Sequence, residues 1–326
     1  GSCDPVGRMR KVAFAAMMAA SVWAQASFEM ILATDRRTGV VHRFDGDTGA
    51  YFGGYNQSNN EFSFGMHADR ALGLSYTATV DRRSVLVHRY NTGEYVNTLA
   101  TTRMIRGFSP MGGAFAGQIL MSTTDTTYRV SMTPTGITEL GSYSTNSIGT
   151  GMVQASNGRL IGTTNARRVQ VLDPSGALIS TSQLVPNTLA GDQFGSILLV
   201  GNKLYALVSQ FAGGSSALYS GTFDGSSVTW NFTPLYENAA FKVPISLALG
   251  HGSRLFFTLS NSDETDGRIV MYDFAKNVSK EYDHPDVAVP GGLAMVVAPE
   301  PGTMAAMGLG LAALARRRRK GSPRED

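Results

Sequence analysis

The sequence predicts an all-β fold of repeated four-stranded units closed into a ring, and three observations carry that expectation. The composition favours short strands and tight turns, an internal repeat recurs at an offset of 46 residues, and an unpaired strand stands at each end of the repeated region.

Charged residues make up only 16% of the 326, and 37 glycines accompany plentiful Tyr, Thr, Ser and Val. Aromatic and β-branched residues suit strands, and glycine suits the turns between them. The repeat is clearest where Asp35-Arg36-Arg37-Thr38-Gly39-Val40-Val41-His42-Arg43-Phe44 aligns with Asp81-Arg82-Arg83-Ser84-Val85-Leu86-Val87-His88-Arg89-Tyr90. Both copies run on alike, into Thr48-Gly49-Ala50-Tyr51 and Thr92-Gly93-Glu94-Tyr95. Each copy reads as a strand, a glycine turn and a second strand.

Weaker copies follow along the chain. Tyr128-Arg129-Val130 leads to Gly136, Val169 to Asp173 leads to Gly176, Leu218-Tyr219 leads to Asp224-Gly225, and Ile269 to Asp273 leads to a turn near Asn277. These make six outer hairpins. Five inner hairpins precede them, expected at Met66-His67-Ala68 to Tyr76, Ala114-Phe115 to Ser122, Met152-Val153 to Thr164, Ile197-Leu198 to Ser209, and Leu247-Ala248 to Ser260. Two hairpins form one four-stranded blade, and a period near 45 residues suits a β-propeller.

One inner strand is missing. The first unit has only Met30 to Thr34 before its outer hairpin, while Gly292 to Val297 stands alone at the end. The expectation is that this C-terminal strand completes the first blade, which closes the ring and removes both open sheet edges. Six blades follow from the length of the body, with seven as the alternative if one weak repeat is misdivided.

The formal charge of +3 does not mark a nucleic-acid partner, because nine of the 28 basic residues lie outside 27–298. The body holds 19 basic against 21 acidic residues, with no basic stripe to track phosphates. Cys3 is the only cysteine and precedes Met9, which excludes a disulfide framework and a cysteine-ligated zinc site.

The two ends carry targeting patterns. After Met9-Arg10-Lys11, an apolar stretch from Val12 to Trp23 leads to Ala24-Gln25-Ala26. A positive flank, a short apolar run and small residues at −3 and −1 compose a secretory signal peptide, with Ala24 and Ala26 setting cleavage before Ser27. Residues 1–8 are read as an upstream extension. At the other end, Pro299-Glu300-Pro301-Gly302 precedes an apolar run from Thr303 to Ala315 and then Arg316, Arg317, Arg318, Arg319 and Lys320. This order resembles the PEP-CTERM sorting domain, a match confined to about the last 25 residues.

The resemblance implies processing by an exosortase-type membrane protease, delivery to a Gram-negative cell envelope, and association with exopolysaccharide or biofilm matrix. Physically, the arginines resist crossing the membrane, the apolar run halts in it, and the prolines keep the processing site extended. With about 13 residues against the roughly 20 that span a bilayer, and with Gly308 and Gly310 inside, the run suits a temporary anchor. The expected organisation is therefore 1–26 extension and signal peptide, 27–298 propeller, 299–320 sorting tail, and 321–326 polar terminus.

No catalytic motif emerges: no nucleophile elbow, no phosphate-binding loop and no His-Glu-x-x-His. His42 and His88 hold equivalent repeat positions, which points to one structural role played twice. Asp45-Gly46-Asp47-Thr48-Gly49 and Asp263-Glu264-Thr265-Asp266-Gly267 carry oxygens of the kind Ca²⁺ takes, yet neither completes an EF-hand loop, and turn formation is the expectation. His67 and Asp69 fall on an expected innermost strand, where propeller lactonases and related hydrolases place metal ligands. The other inner strands are nearly all apolar, Gly or Ser. The expected protein is thus a non-enzymatic binding or scaffold propeller without a cofactor, exported to the envelope, surface or medium after transient anchoring in the inner membrane. Its expected partners are the secretion machinery, signal peptidase, the exosortase and extracellular polysaccharide, with no nucleic acid. The alternative is a metal-dependent hydrolase or lactonase at the channel mouth.

Overall fold

The computed structural model describes residues 27–56, 63–79, 83–164, 168–183, 193–210 and 215–299. Contacts divide the chain into one unit, Ile31–Val296, which holds the blades, and another of Gly1–Met30 with Val297–Asp326. Of the second unit only residues 27–30 and 297–299 are described.

Among the described residues the strands form six four-stranded antiparallel sheets arranged as the blades of a propeller ring. Blade 1 holds β1 (Ser27–Asp35), β2 (Val40–Asp45) and β3 (Tyr51–Asn56). Blade 2 holds β4 (Ser63–Asp69), β5 (Leu74–Thr79), β6 (Ser84–Arg89) and β7 (Tyr95–Ala100). Blade 3 holds β8 (Gly107–Pro110), β9 (Gln118–Ser122), β10 (Thr126–Thr133) and β11 (Gly136–Ser144). Blade 4 holds β12 (Met152–Gln154), β13 (Leu160–Thr163), β14 (Arg168–Leu172) and β15 (Leu178–Gln183). Blade 5 holds β16 (Gln193–Val200), β17 (Lys203–Gln210), β18 (Ser215–Phe223) and β19 (Val228–Asn238). Blade 6 holds β20 (Val243–Leu249), β21 (Arg254–Ser260), β22 (Gly267–Asp273) and β23 (Val278–Tyr282). The last strand, β24 (Pro290–Pro299), returns to blade 1, whose order is β24-β1-β2-β3.

The C-terminal strand therefore closes the ring, as the lone strands at the two ends predict, and the seven-blade alternative is not realised. Thr34 reinforces the closure: its Oγ1 accepts from the Gly292 N–H at 2.7 Å. Asp35 adds to it, its Oδ2 accepting from the Ala288 N–H at 2.7 Å.

One inner strand differs from expectation. Ala114 and Phe115 lie in a single 3-10 turn, Gly113–Phe115, and the inner strand of blade 3 is the earlier β8. Pro110 cannot continue a ladder as a donor, and Gly112 and Gly113 follow it, so the strand stops early and the intervening chain turns before β9.

Burial follows position in the blade. Strand β5, faced by neighbouring blades on both sides, is buried throughout, whereas the outer strand β15 is mostly exposed. The hydrophobic clusters lie between blades: one joins Ile161 and Val171 of blade 4 to Ala206 and Trp230 of blade 5, and another joins Ile31 and Phe44 of blade 1 to Phe256 and Ile269 of blade 6. Each blade thus depends on its neighbours for a dry face, which is how repeat architectures share their core. The outer turns rely on glycine where φ is positive, as at Gly49 and Gly93, equivalent in the repeat, with φ of 77° and 76°. Among the described residues no helix is long and apolar enough to cross a membrane.

Candidate functional site

The six inner strands β4, β8, β12, β16, β20 and β24 surround the axis. At their beginnings they meet through glycine. A Cβ on Gly65 would lie 2.9 Å from Gly107, one on Gly107 2.6 Å from the Thr150 nitrogen, and one on Gly195 2.5 Å from the Pro244 carbonyl. Backbone bonds cross this collar directly, from the Ile148 N–H to the Phe194 carbonyl at 2.7 Å and from the Gly149 N–H to the Gly195 carbonyl.

Around the later parts of the same strands lies a cavity of about 470 Å³. Its wall is largely apolar, with Met66, Phe108, Ile197, Leu247, Leu293 and Met295 from five different strands. His67, Asp69, Arg70 and Ser109 supply a polar side. His67 and Asp69 are two apart on β4, so alternation puts both on one face.

Asp69 and Arg70 are already engaged. Asp69 Oδ1 accepts the N–H groups of Ala71 and Leu72 at 2.9 and 3.1 Å, which shapes the turn that follows β4. Arg70 donates from Nε and Nη2 to the Met295 carbonyl at 3.3 and 3.1 Å, tying blade 2 to the ring-closing strand. The half-buried His67 ring stacks on Tyr76, with centroids 6.0 Å apart. Burial lowers its pKa to about 4 against the opposing pull of Asp69, so the imidazole is neutral at ordinary pH. Among the described residues no three His, Cys, Asp or Glu side chains converge as a metal group.

His42 and His88 do repeat one role. Both are buried, their rings lie 5.8 and 5.7 Å from the equivalent Tyr51 and Tyr95, and a bulge interrupts each strand beside them. Burial lowers the pKa of both. The acidic turns are occupied as well. Asp45 Oδ1 accepts from the N–H groups of Asp47 and Thr48, Asp47 pairs with Arg254, Glu264 with Arg36 at 2.7 Å, and Asp266 with Arg268 at 2.6 Å.

Of the sequence-predicted sorting residues, Pro299 ends β24. Ala24, Ala26, Glu300, Pro301, Arg316, Arg317, Arg318 and Arg319 lie outside the described residues. Sequence reasoning missed Arg70, and it missed Arg36 and Arg106, which each reach the ring of Phe64 at the start of β4; no motif marks any of the three.

The family described as the PEP-CTERM protein-sorting motif matches residues 297–320. No curated protein matches the chain. Solved structures with a similar fold include a putative 6-phosphogluconolactonase from Bacteroides fragilis, 13% identical over 83% of this chain and 98% of that one, with a TM-score of 0.56. Another putative 6-phosphogluconolactonase, from Bacteroides uniformis, is 14% identical over 83% of this chain and 100% of that one, at 0.54. A chain of a nidogen/laminin complex is 12% identical over 82% of this chain and 98% of its own length, at 0.56. At such identities the likeness concerns the fold alone. The motif indicates export and sorting to the cell envelope through an exosortase at the membrane. The chain is a six-bladed β-propeller carrying a C-terminal PEP-CTERM protein-sorting motif.

Proposed function

We propose that this is a non-enzymatic binding or scaffold propeller of the envelope or extracellular matrix, holding an extracellular polysaccharide or a similar ligand at the channel mouth. The observation that carries the reading is the cavity of about 470 Å³ whose wall is mostly apolar, with His67 and Ser109 on its polar side and Asp69 and Arg70 committed to a turn and to ring closure. A largely apolar concavity with a few convergent polar groups is the usual form of a ligand site. Residues 27–298 form the binding body. Residues 9–26, the signal peptide, direct export, with Ala24 and Ala26 at the cleavage site. Residues 299–320 direct sorting, Pro299-Glu300-Pro301 being read by the exosortase while Arg316 to Arg319 halt translocation.

Two experiments test this. Exopolysaccharide from the exporting cells should bind the purified protein, and Ala68→Trp, which fills the cavity, should weaken that binding at least tenfold; binding indifferent to this change refutes the site. The metal-dependent hydrolase reading rests on His67 and Asp69 at the cavity, and it requires about one tightly held divalent ion per purified chain. A metal-free protein that still binds polysaccharide rejects it.

A further inference from the structure

The glycine end of the axis carries a second constellation, built from four blades. Phe64, at the start of β4, is buried against Ile245 of β20. Two guanidinium groups lie on its ring: Arg36 from the β1–β2 turn of blade 1, with Cζ 4.0 Å from the ring centroid, and Arg106 from the approach to β8 of blade 3, at 4.3 Å. Glu264, in the β21–β22 turn of blade 6, accepts from Arg36 Nη2 at 2.7 Å.

Backbone bonds fix both arginines. The Arg36 N–H donates to the Val289 carbonyl at 2.8 Å and the Arg106 N–H to the Ser122 carbonyl at 2.7 Å. Arg36 is only 5% exposed, yet its Nε and Nη1, and the Nε of Arg106, are buried without a hydrogen-bond partner among the described residues. A buried donor left unpaired is costly, and two like charges on one ring add repulsion. Among the described residues the two cations share one carboxylate, and the Glu264 side chain is 40% exposed. Among those residues the cluster is short of one anion.

We propose that Arg36 and Arg106 form an oxyanion site that takes a carboxylate. The guanidinium fork matches a planar carboxylate in bidentate geometry, and both guanidiniums lie within 4.3 Å of the Phe64 ring centroid. Burial lowers the pKa of both arginines, the direction expected where positive charge is held without full compensation. The site is at the opposite end of the inner strands from the cavity, so its failure leaves the cavity reading intact.

The test uses the full chain, with its arginine side chains labelled with ¹⁵N, titrated with sodium glucuronate, sodium acetate, sodium sulfate and, as a neutral control, glucose. Glucuronate should shift the Nε resonances of Arg36 and Arg106 and raise the melting temperature, and glucose should do neither. Glucuronate at least tenfold tighter than acetate assigns the site to carboxylates carried on a sugar; equal affinities assign it to carboxylates at large. Arg106→Gln should weaken binding at least tenfold. Glu264→Gln, which removes the competing carboxylate, should tighten it several-fold. Silent Nε resonances in the unmodified protein, response to sulfate alone, or unchanged affinity in a folded Arg106→Gln variant overturns the proposal.

Discussion

Ring closure by β24 makes a quantitative demand on Asp35. This residue is fully buried and joins two segments far apart in sequence. Its Oδ1 accepts the N–H groups of Arg37 and Thr38 at 2.7 and 3.0 Å, shaping the β1–β2 turn. Its Oδ2 accepts those of Ala288 and Val289 at 2.7 and 3.3 Å, on the approach to β24. Asp45 performs only the first half of this task, bonding Asp47 and Thr48 within its own partly exposed turn. Asp35→Ala leaves at least two buried donors unpaired at about 1–3 kcal/mol each, besides the turn bonds, so the loss should be about 4 kcal/mol. Asp45→Ala should cost about 1 kcal/mol, because water replaces the lost acceptor. Asp35→Asn keeps one carbonyl oxygen for the turn but sets an amide N–H₂ against the Ala288 and Val289 donors, so it should fall between the two. Urea denaturation compares the variants through the midpoint at constant slope. Losses for Asp35→Ala and Asp45→Ala within 1 kcal/mol of each other would falsify the clamp.

Gly107→Ala, which brings a Cβ to 2.6 Å from the Thr150 nitrogen, should destabilise by several kcal/mol, whereas Gly112→Ala, with open space around it, should melt like the parent. Deleting 291–298 removes the buried Leu293 and Val296, each contributing about 1.5–3 kcal/mol, and should unfold the body, while deleting 303–326 should leave its melting temperature unchanged. Because burial lowers the pKa of His67 to about 4, the unfolded chain takes up this proton first as the medium acidifies. Stability is therefore full above about pH 6.5 and falls by about 3 kcal/mol towards pH 4; His67→Gln should flatten that part of the profile, and an unchanged slope would exclude His67 as its source. Replacing Arg316 to Arg319 by Ser should release unprocessed precursor, and replacing Pro299, Glu300 and Pro301 by Ala should leave it anchored, as immunoblots of membrane and medium fractions would report.

The blades were legible because the features that mark them are local. Alternating strands, aspartate turns and glycines with positive φ recur within a dozen residues of one another, and the offset between His42 and His88 exposes the period. The error in blade 3 has the same origin. Strand β8 is only Gly107 to Pro110, too short to show alternation, so the neighbouring Ala114-Phe115 pair drew the assignment. A better signal was present in the glycines near the starts of inner strands, Gly65, Gly107, Gly195 and Gly292, but their meaning depends on contacts between blades.

Sites are harder to read for that reason. Asp69 and His67 look like a ligand pair in sequence, yet Asp69 spends its Oδ1 on a turn, as Asp35, Asp45, Asp173, Asp224 and Asp273 each do. Turn donors hold the Asp224 carboxyl well below the usual carboxylate range, which marks a structural acceptor rather than a catalytic one. Arg36 follows such an aspartate directly, and its copy in the repeat, Arg82, gives it the look of turn chemistry. What separates Arg36 from a turn residue is what reaches it from elsewhere: Phe64 from blade 2, Arg106 from blade 3 and Glu264 from blade 6. A repeat fixes what each blade has in common with the next. In a propeller the functional groups lie where the copies diverge and converge on the axis, and that placement exists only once the ring has closed.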